Sequence, residues 1–178
     1  MRSQCLRDPE ARELQETGET TLIREVKPQP RYDAFNSDVR TAVTFRGATQ
    51  CAVGPNSRAS IDGWLRSEIG KLPCPLGAVG EKRWVRETWC AIGYWKEPPE
   101  ANIKFLDGSY LFCRAPSLEA MYKLVGYSGT HWRPAITMPR WASRAVVEVV
   151  ESDVFQDGGV WYWRAKVRNI PAASGGLG

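Results

Sequence analysis

The residues best suited to chemistry are concentrated in one segment, residues 131–144, which reads HWRPAITMPRWASR. It holds three arginines, two tryptophans, one histidine and no acid. Guanidinium groups contact phosphate in a bidentate manner, and indole rings stack on nucleobases. The segment therefore predicts a phosphate-holding and base-stacking loop. Its candidate ligand-binding residues are Trp132, Arg140, Trp141, Ser143 and Arg144. The other interpretation places both tryptophans in the core and leaves the arginines solvated or paired with distant acids.

A second candidate segment is residues 83–89, RWVRETW, in which Glu87 follows two arginines. A carboxylate in this setting is either a buried salt-bridge partner or a general acid/base whose pKa is set by its neighbours. A catalytic Glu87 faces a pocket, whereas a structural one is occupied by arginine contacts. Arg86, on the same stretch, is a further candidate for holding phosphate.

Cysteine and histidine usage argues against several kinds of site. The five cysteines are widely spaced and form no C-x-x-C pair, and His131 is the only histidine. We therefore expect reduced thiols and no zinc site. The sequence contains neither a Walker A loop nor a G-x-G-x-x-G motif, the common phosphate-binding loops of nucleotide enzymes. We expect no metal and no cofactor.

Composition is that of an ordinary soluble domain. The chain has 178 residues, 43% of them hydrophobic and 25% charged, with a mean hydropathy of -0.39. No apolar run approaches the roughly 20 residues of a membrane span, and no signal-peptide core follows Met1, so a cytoplasmic protein without membrane contact is expected. Arginine supplies 17 of the 24 basic residues, which favours an anionic partner. The net charge of +4 is shared by many proteins that never bind nucleic acid.

The elements expected to position these residues are mainly strands. Capping and turn residues predict helices over 8–17 and 117–124. Patterning predicts strands over 22–26, 42–45, 82–89, 110–114, 145–150 and 160–168, joined by irregular loops. In the last strand, alternation predicts one buried face containing Trp161 and Trp163. Residues 31–60 are expected to be largely an irregular surface excursion, and residues 171–178 a flexible tail.

Several stretches resemble a known family. In order, they are IREVKPQP, CPLGAVGEKRWVRETW, YLFCRA, HWRPAITMPRWASR and GGVWYWRAKVRNI. They are similar to phage and prophage proteins with an ASCH-type domain, of the PUA-like superfamily, and the similarity spans nearly the whole chain. The resemblance implies an α+β, mostly β fold: a small β-barrel with short flanking helices, long loops and a cleft. It also implies one domain over residues 1–170, a bacterial host cytoplasm, and a link to RNA binding and modified-base recognition.

Some small ASCH proteins are amidohydrolases that act on N-acetylated cytidine. They use a lysine and a threonine from a G-x-K-x-x-T-x-R segment, together with a glutamate. The matching stretch here is residues 18–24, GETTLIR, in which Arg24 matches the motif's arginine. Depending on the alignment, the lysine position holds Thr20 or Glu19 and the threonine position holds Ile23 or Leu22. The family lysine and threonine are therefore missing, and Glu87 is the best counterpart of the glutamate.

The leading hypothesis is a non-enzymatic module that binds RNA, single-stranded nucleic acid or a nucleotide. Arg24, Arg86, Arg140 and Arg144 would line the cleft and hold phosphate, and Trp132 or Trp141 would stack on a base. One alternative is an amidohydrolase acting on an acylated nucleoside, with Glu87 as its catalytic residue. A second alternative is a phage accessory protein that uses exposed aromatic side chains to bind a protein partner. The oligomeric state is not predicted.

Overall fold

The computed structural model describes residues 1–33, 40–53, 56–94, 99–125 and 131–170. The fold is α+β and mostly β, as the sequence predicts. Its helices are α1 (Asp8–Thr17), α2 (Ser57–Gly70), α3 (Leu118–Val125) and two short 3-10 helices, Ala135–Thr137 and Arg140–Ala142. Its strands are β1 (Arg2–Cys5), β2 (Glu19–Glu25), β3 (Arg31–Asp33), β4 (Arg40–Phe45), β5 (Ala48–Val53), β6 (Lys82–Arg86), β7 (Trp89–Tyr94), β8 (Glu100–Phe105), β9 (Tyr110–Arg114), β10 (Val146–Asp157) and β11 (Val160–Ile170). None of the described helices is both long and apolar enough to cross a membrane.

The strands form three sheets. The largest has the order β1-β6-β10-β11-β2, and the two smaller ones are β3-β4-β5 and β7-β8-β9. A barrel closes only when its first and last strands pair. In the described chain each sheet instead has two edge strands, which are β1 and β2 in the largest. The closed β-barrel expected from the sequence is therefore wrong for this part of the chain.

The chain is divided into two compact units. Unit 1 contains residues 1–20, 80–148 and the described residues from 167 onward, and unit 2 contains residues 21–79 and 149–166. Strands β10 and β11 contribute residues to both. Seven of the eight candidate site residues belong to unit 1, and Arg24 belongs to unit 2.

The core of unit 1 lies between the sheet β7-β8-β9 and residues 138–142. Buried side chains from β7 and β8 pack with Met138 and Ala142, and the half-buried Trp141 lies against them. Strand β6 is buried on both faces, because Arg83, Trp84 and Val85 are all buried although they are consecutive. Within the sheet, β6 lies between β1 and β10.

Unit 2 contains a helix that the sequence patterns did not predict. Ile61, Leu65 and Ile69 recur every four residues along α2, so they lie on one face, and all three are fully buried. The helix packs on β4 and β5. The strand predicted over 42–45 is confirmed as β4, but the expectation that the rest of residues 31–60 is irregular is wrong in part, because β3, β5 and the start of α2 fall within it.

Most other predicted elements are present, but the single strand expected over 82–89 is wrong, because β6 ends at Arg86 and β7, in another sheet, begins at Trp89. The helix at residues 8–17 is confirmed, and Gly18 ends it with φ +78°, which glycine adopts without strain. Ser117 caps α3 by accepting a hydrogen bond from the amide of Ala120 at 3.1 Å. Trp161 and Trp163 are buried on β11 as alternation predicts. The tail at 171–178 lies outside the described residues.

Two phenylalanines on adjacent strands give a direct test of this core. Phe105 on β8 is 1% exposed and Phe112 on β9 is 67% exposed. We expect Phe105→Ala to lower the free energy of unfolding by about 3–5 kcal/mol, because it removes a buried ring and leaves a cavity. Phe112→Ala is the matched control and should change it by less than about 0.5 kcal/mol. Urea denaturation followed by circular dichroism measures both. Equal losses would contradict the assigned faces.

Candidate functional site

The site of unit 1 is organised by an ion pair between Glu87 and Arg144. Glu87 directly follows β6 and Arg144 lies two residues before β10, and these strands pair antiparallel with Trp84 opposite Val146. This register brings the two side chains together. Arg144 donates from Nε to Oε1 of Glu87 at 3.0 Å and from Nη2 to Oε2 at 2.5 Å. The Arg144 and Glu87 side chains are 12% and 5% exposed, so the pair is bidentate and almost dry.

The turn between β8 and β9 supplies further partners for Arg144. Nη2 of Arg144 lies 2.8 Å from Oδ2 of Asp107, and Nη1 of Arg144 donates to the hydroxyl of Ser109. The guanidinium carbon of Arg144 lies 4.0 Å from the centre of the Phe105 ring. Burial alone would lower the pKa of Arg144, but the hydrogen bonds and charges of Glu87 and Asp107 raise it above its ordinary value. Arg144 is therefore a permanently charged structural cation.

Asp107 is held as a carboxylate. Its Oδ1 accepts hydrogen bonds from the amide of Ser109 at 2.9 Å and from its hydroxyl at 2.6 Å. Burial would raise the pKa of Asp107, but these bonds and the nearby Arg144 lower it below its ordinary value. From the sequence, only the Asp107-Gly108 turn was evident here. The turn composition gave no sign that its carboxylate pairs with an arginine about 37 positions along the chain.

The surroundings of Glu87 leave little room for a substrate. The recess it shares with Thr88, Asp107 and Arg144 has a volume of about 20 Å³, enough for roughly one water molecule. Sites for drug-sized ligands have volumes of about 300–1,000 Å³. Glu87 therefore forms a buried salt bridge, one of the two roles considered for it from the sequence. Its partner is Arg144 rather than an arginine adjacent in the sequence.

Three further candidate residues also have structural contacts. Ser143 donates its hydroxyl to the carbonyl of Val85 at 2.7 Å. Trp141 packs against the unit 1 core. Arg86 donates from Nη1 to the carbonyl of Ile136 at 3.0 Å and lies 4.7 Å from the centre of the Trp84 ring. Its Nε is buried and has no hydrogen-bond partner among the residues that the structure describes.

The remaining two unit 1 candidates are exposed. Trp132 is 47% exposed, and Arg140 is also exposed. Within the described chain neither side chain has a hydrogen-bonding or ionic partner. Ile136, at 70% exposure, lies between them in the sequence. We call Trp132, Ile136 and Arg140 the Arg-Trp surface.

The backbone of this surface is anchored at both ends. Arg133 exchanges two backbone hydrogen bonds with Trp89, at 2.7 and 3.2 Å. Farther along, Met138 is 2% exposed and Ala142 is fully buried. The two 3-10 helices begin after Pro134 and Pro139, whose fixed φ suits a helix entry. Buried residues thus hold a segment whose intervening side chains face solvent.

Arg24 lies on β2 in unit 2, where it donates from Nη1 to the carbonyl of Ile23 at 2.8 Å. The structure therefore brings Glu87, Asp107 and Arg144 into one network and leaves Trp132 and Arg140 available to a ligand. The arginines of residues 131–144 were predicted to act together, but they have different roles.

A pair of arginine substitutions separates these roles. Arg144→Leu leaves Glu87 buried without its partner, and we expect a loss of about 3–5 kcal/mol in the free energy of unfolding. Arg140→Leu removes an exposed, unpaired arginine four residues away and should change it by less than about 0.5 kcal/mol. Urea titration of both variants checks this. A stable Arg144→Leu protein would contradict the structural role.

The low pKa of Asp107 predicts a pH dependence of stability. Above its ordinary pKa of 3.8, the folded carboxylate stabilises the protein, and this contribution is lost as the pH falls through the lower folded-state pKa. Asp107→Asn should therefore lower the free energy of unfolding at neutral pH, and its difference from wild type should shrink below pH 3.8. Urea titrations across acidic and neutral pH measure it. Asp157→Asn, at an exposed position, is the control. A difference in stability between Asp107→Asn and wild type that does not change with pH would contradict the prediction.

Comparisons with known proteins give no relative of this chain. No protein-family model matches the sequence, and no curated protein or solved structure matches it. The side chains of unit 1 are therefore the basis on which a function is proposed.

Proposed function

We propose that this chain is a non-enzymatic module that binds RNA, single-stranded nucleic acid or a nucleotide through the Arg-Trp surface. The observation that carries the proposal is the exposed indole of Trp132 on the same anchored segment as Arg140, an exposed cation with no partner in the described chain. The ASCH-type, PUA-like family and the phage origin rest on the sequence resemblance, and both are part of the same proposal. The same proposal includes the cytoplasm of a bacterial host as the compartment in which the protein acts.

The energetics favour a nucleic-acid ligand for this surface. A base stacked on an aromatic side chain contributes about 1–3 kcal/mol, and an unpaired arginine contributes by neutralising a phosphate and releasing its counterions. Trp132 supplies the first contribution and Arg140 the second. Arg144 is buried in ion pairs, so it can neither stack on a base nor neutralise a phosphate. We therefore do not include Arg144 among the proposed ligand-binding residues and assign it a structural role.

Binding without catalysis is proposed because two described side chains considered for hydrolysis, Thr20 and Glu87, are held by other contacts. Thr20, at the lysine position in one alignment, is 2% exposed, and its hydroxyl donates to Oε2 of Glu13 at 2.5 Å. Glu87 is held by Arg144 in a recess of about 20 Å³. Neither side chain is positioned to activate a nucleophile toward an acylated base.

Binding measurements on the Arg-Trp surface test the proposal. Trp132→Ala should weaken the binding of fluorescein-labelled single-stranded RNA by roughly 5- to 140-fold, the equivalent of about 1–3 kcal/mol for a stacked base. Arg140→Ala should reduce the slope of log K against log salt by about 1. Fluorescence anisotropy over a salt series measures both effects.

Two variants serve as matched controls. Trp132→Phe retains an aromatic ring and should recover much of the affinity. Arg12→Ala removes another exposed arginine, from α1, and should leave the salt slope unchanged. Salt-independent affinity, or equal losses in Arg12→Ala and Arg140→Ala, would contradict the proposal. Retention of a protein partner that depends on Trp132, without any affinity for RNA or nucleotides, would favour the accessory-protein alternative.

A further inference from the structure

A second exposed aromatic surface lies on the sheet β7-β8-β9. Along β9, exposure alternates, so that Tyr110, Phe112 and Arg114 face solvent. Tyr110 is 53% exposed and Phe112 is 67% exposed. The sequence predicted only a strand at 110–114 and no role for either ring. Two neighbouring exposed rings on one strand face are unusual, because large aromatic side chains are normally buried.

The opposite face of β9 explains why these rings are not needed for folding. Leu111 and Cys113 point inward and pack against the unit 1 core. Burial raises the pKa of the Cys113 thiol to about 11, and its Sγ lies 3.7 Å from the carbonyl oxygen of Ala101. Because successive side chains alternate across a strand, Tyr110 and Phe112 point away from this core.

The exposed face also carries basic and polar groups. Nζ of Lys104, the cross-strand partner of Tyr110, lies 5.4 Å from the centre of the tyrosine ring. Arg114 is exposed, and its cross-strand position is Glu100. Asn102 lies opposite Phe112, and its Oδ1 is buried and has no hydrogen-bond partner within the described ranges.

From these observations we infer that Tyr110, Phe112, Lys104 and Arg114 form a stacking platform for single-stranded nucleic acid. Aromatic rings two residues apart on a strand lie about 6.8 Å from each other. This is about twice the roughly 3.4 Å step between stacked bases of a duplex. The spacing of the rings therefore fits bases that are separated from one another rather than stacked. Single strands can separate their bases readily, whereas a duplex cannot.

The charges on this face favour nucleic acid over an apolar protein partner. Lys104 and Arg114 flank the rings along the sheet, where phosphates of a stacked strand would run. Lys104 is of a residue type that is depleted at the cores of protein interfaces, whereas aromatic rings and arginine are common in both kinds of interface. The platform shares its ligand class with the proposed function but uses different side chains, so each can fail independently.

The test uses the whole chain and single-stranded probes of about 12 nucleotides, a length within the site sizes typical of such proteins. Labelled oligouridine, oligothymidine and a DNA duplex of the same length are titrated and followed by fluorescence anisotropy. Phe112→Ala and Tyr110→Ala should each weaken single-strand binding by roughly 5- to 140-fold. Leu118→Ala, at another exposed apolar position, should remain within about twofold of wild type.

The outcomes separate this inference from the proposed function. A loss in Phe112→Ala with Trp132→Ala unchanged supports the platform and overturns the Arg-Trp surface, and the reverse pattern overturns the platform. The platform is also overturned if the duplex binds as tightly as the single strands. It is overturned as well if Phe112→Ala abolishes self-association and leaves oligonucleotide affinity unchanged. The absence of single-strand binding at low salt overturns both proposals. Urea denaturation of each variant confirms that the fold is retained.

Discussion

The buried bidentate pair between Glu87 and Arg144 is the constraint on which the architecture of unit 1 depends. It joins the end of β6 to the approach of β10, and through Asp107 it also holds the turn between β8 and β9. Charges with so little exposure to water are tolerated only when each has a partner. The geometry of this network therefore fixes where the segments on either side of it lie.

One consequence is a division of labour within residues 131–144. Buried Met138 and Ala142 hold the segment against the core, and Arg144 is occupied by carboxylates. The same segment leaves Trp132 and Arg140 facing solvent. A rigid backbone that presents an unpaired cation and an aromatic ring loses little conformational freedom on binding, which favours affinity. The structural residues thus support the ones proposed to contact ligand.

Much of the fold could be predicted from the sequence, but the division among the arginines could not. Capping residues, including Gly18 at its C-terminal end, identified α1. Alternation of apolar and polar residues identified the buried face of β11. Helix α2 was missed although Ile61, Leu65 and Ile69 recur at the i, i+4, i+8 spacing of an amphipathic helix, so its signal was present in the sequence. Which arginine pairs with Glu87 depends on strand register, and the exposure of Phe112 depends on which face of its sheet is covered. Both are tertiary properties that residue types alone do not encode.

Trp132 is the tryptophan proposed to contact a nucleic-acid ligand, whereas the buried tryptophans have structural roles. Indole N–H resonances in a proton–nitrogen NMR spectrum report on each tryptophan separately, and Trp132→Phe assigns the relevant signal. Titration with single-stranded RNA should shift the Trp132 signal progressively to saturation and leave those of Trp89 and Trp161, both 1% exposed, unchanged. An unmoved Trp132 signal at saturating RNA would contradict the account.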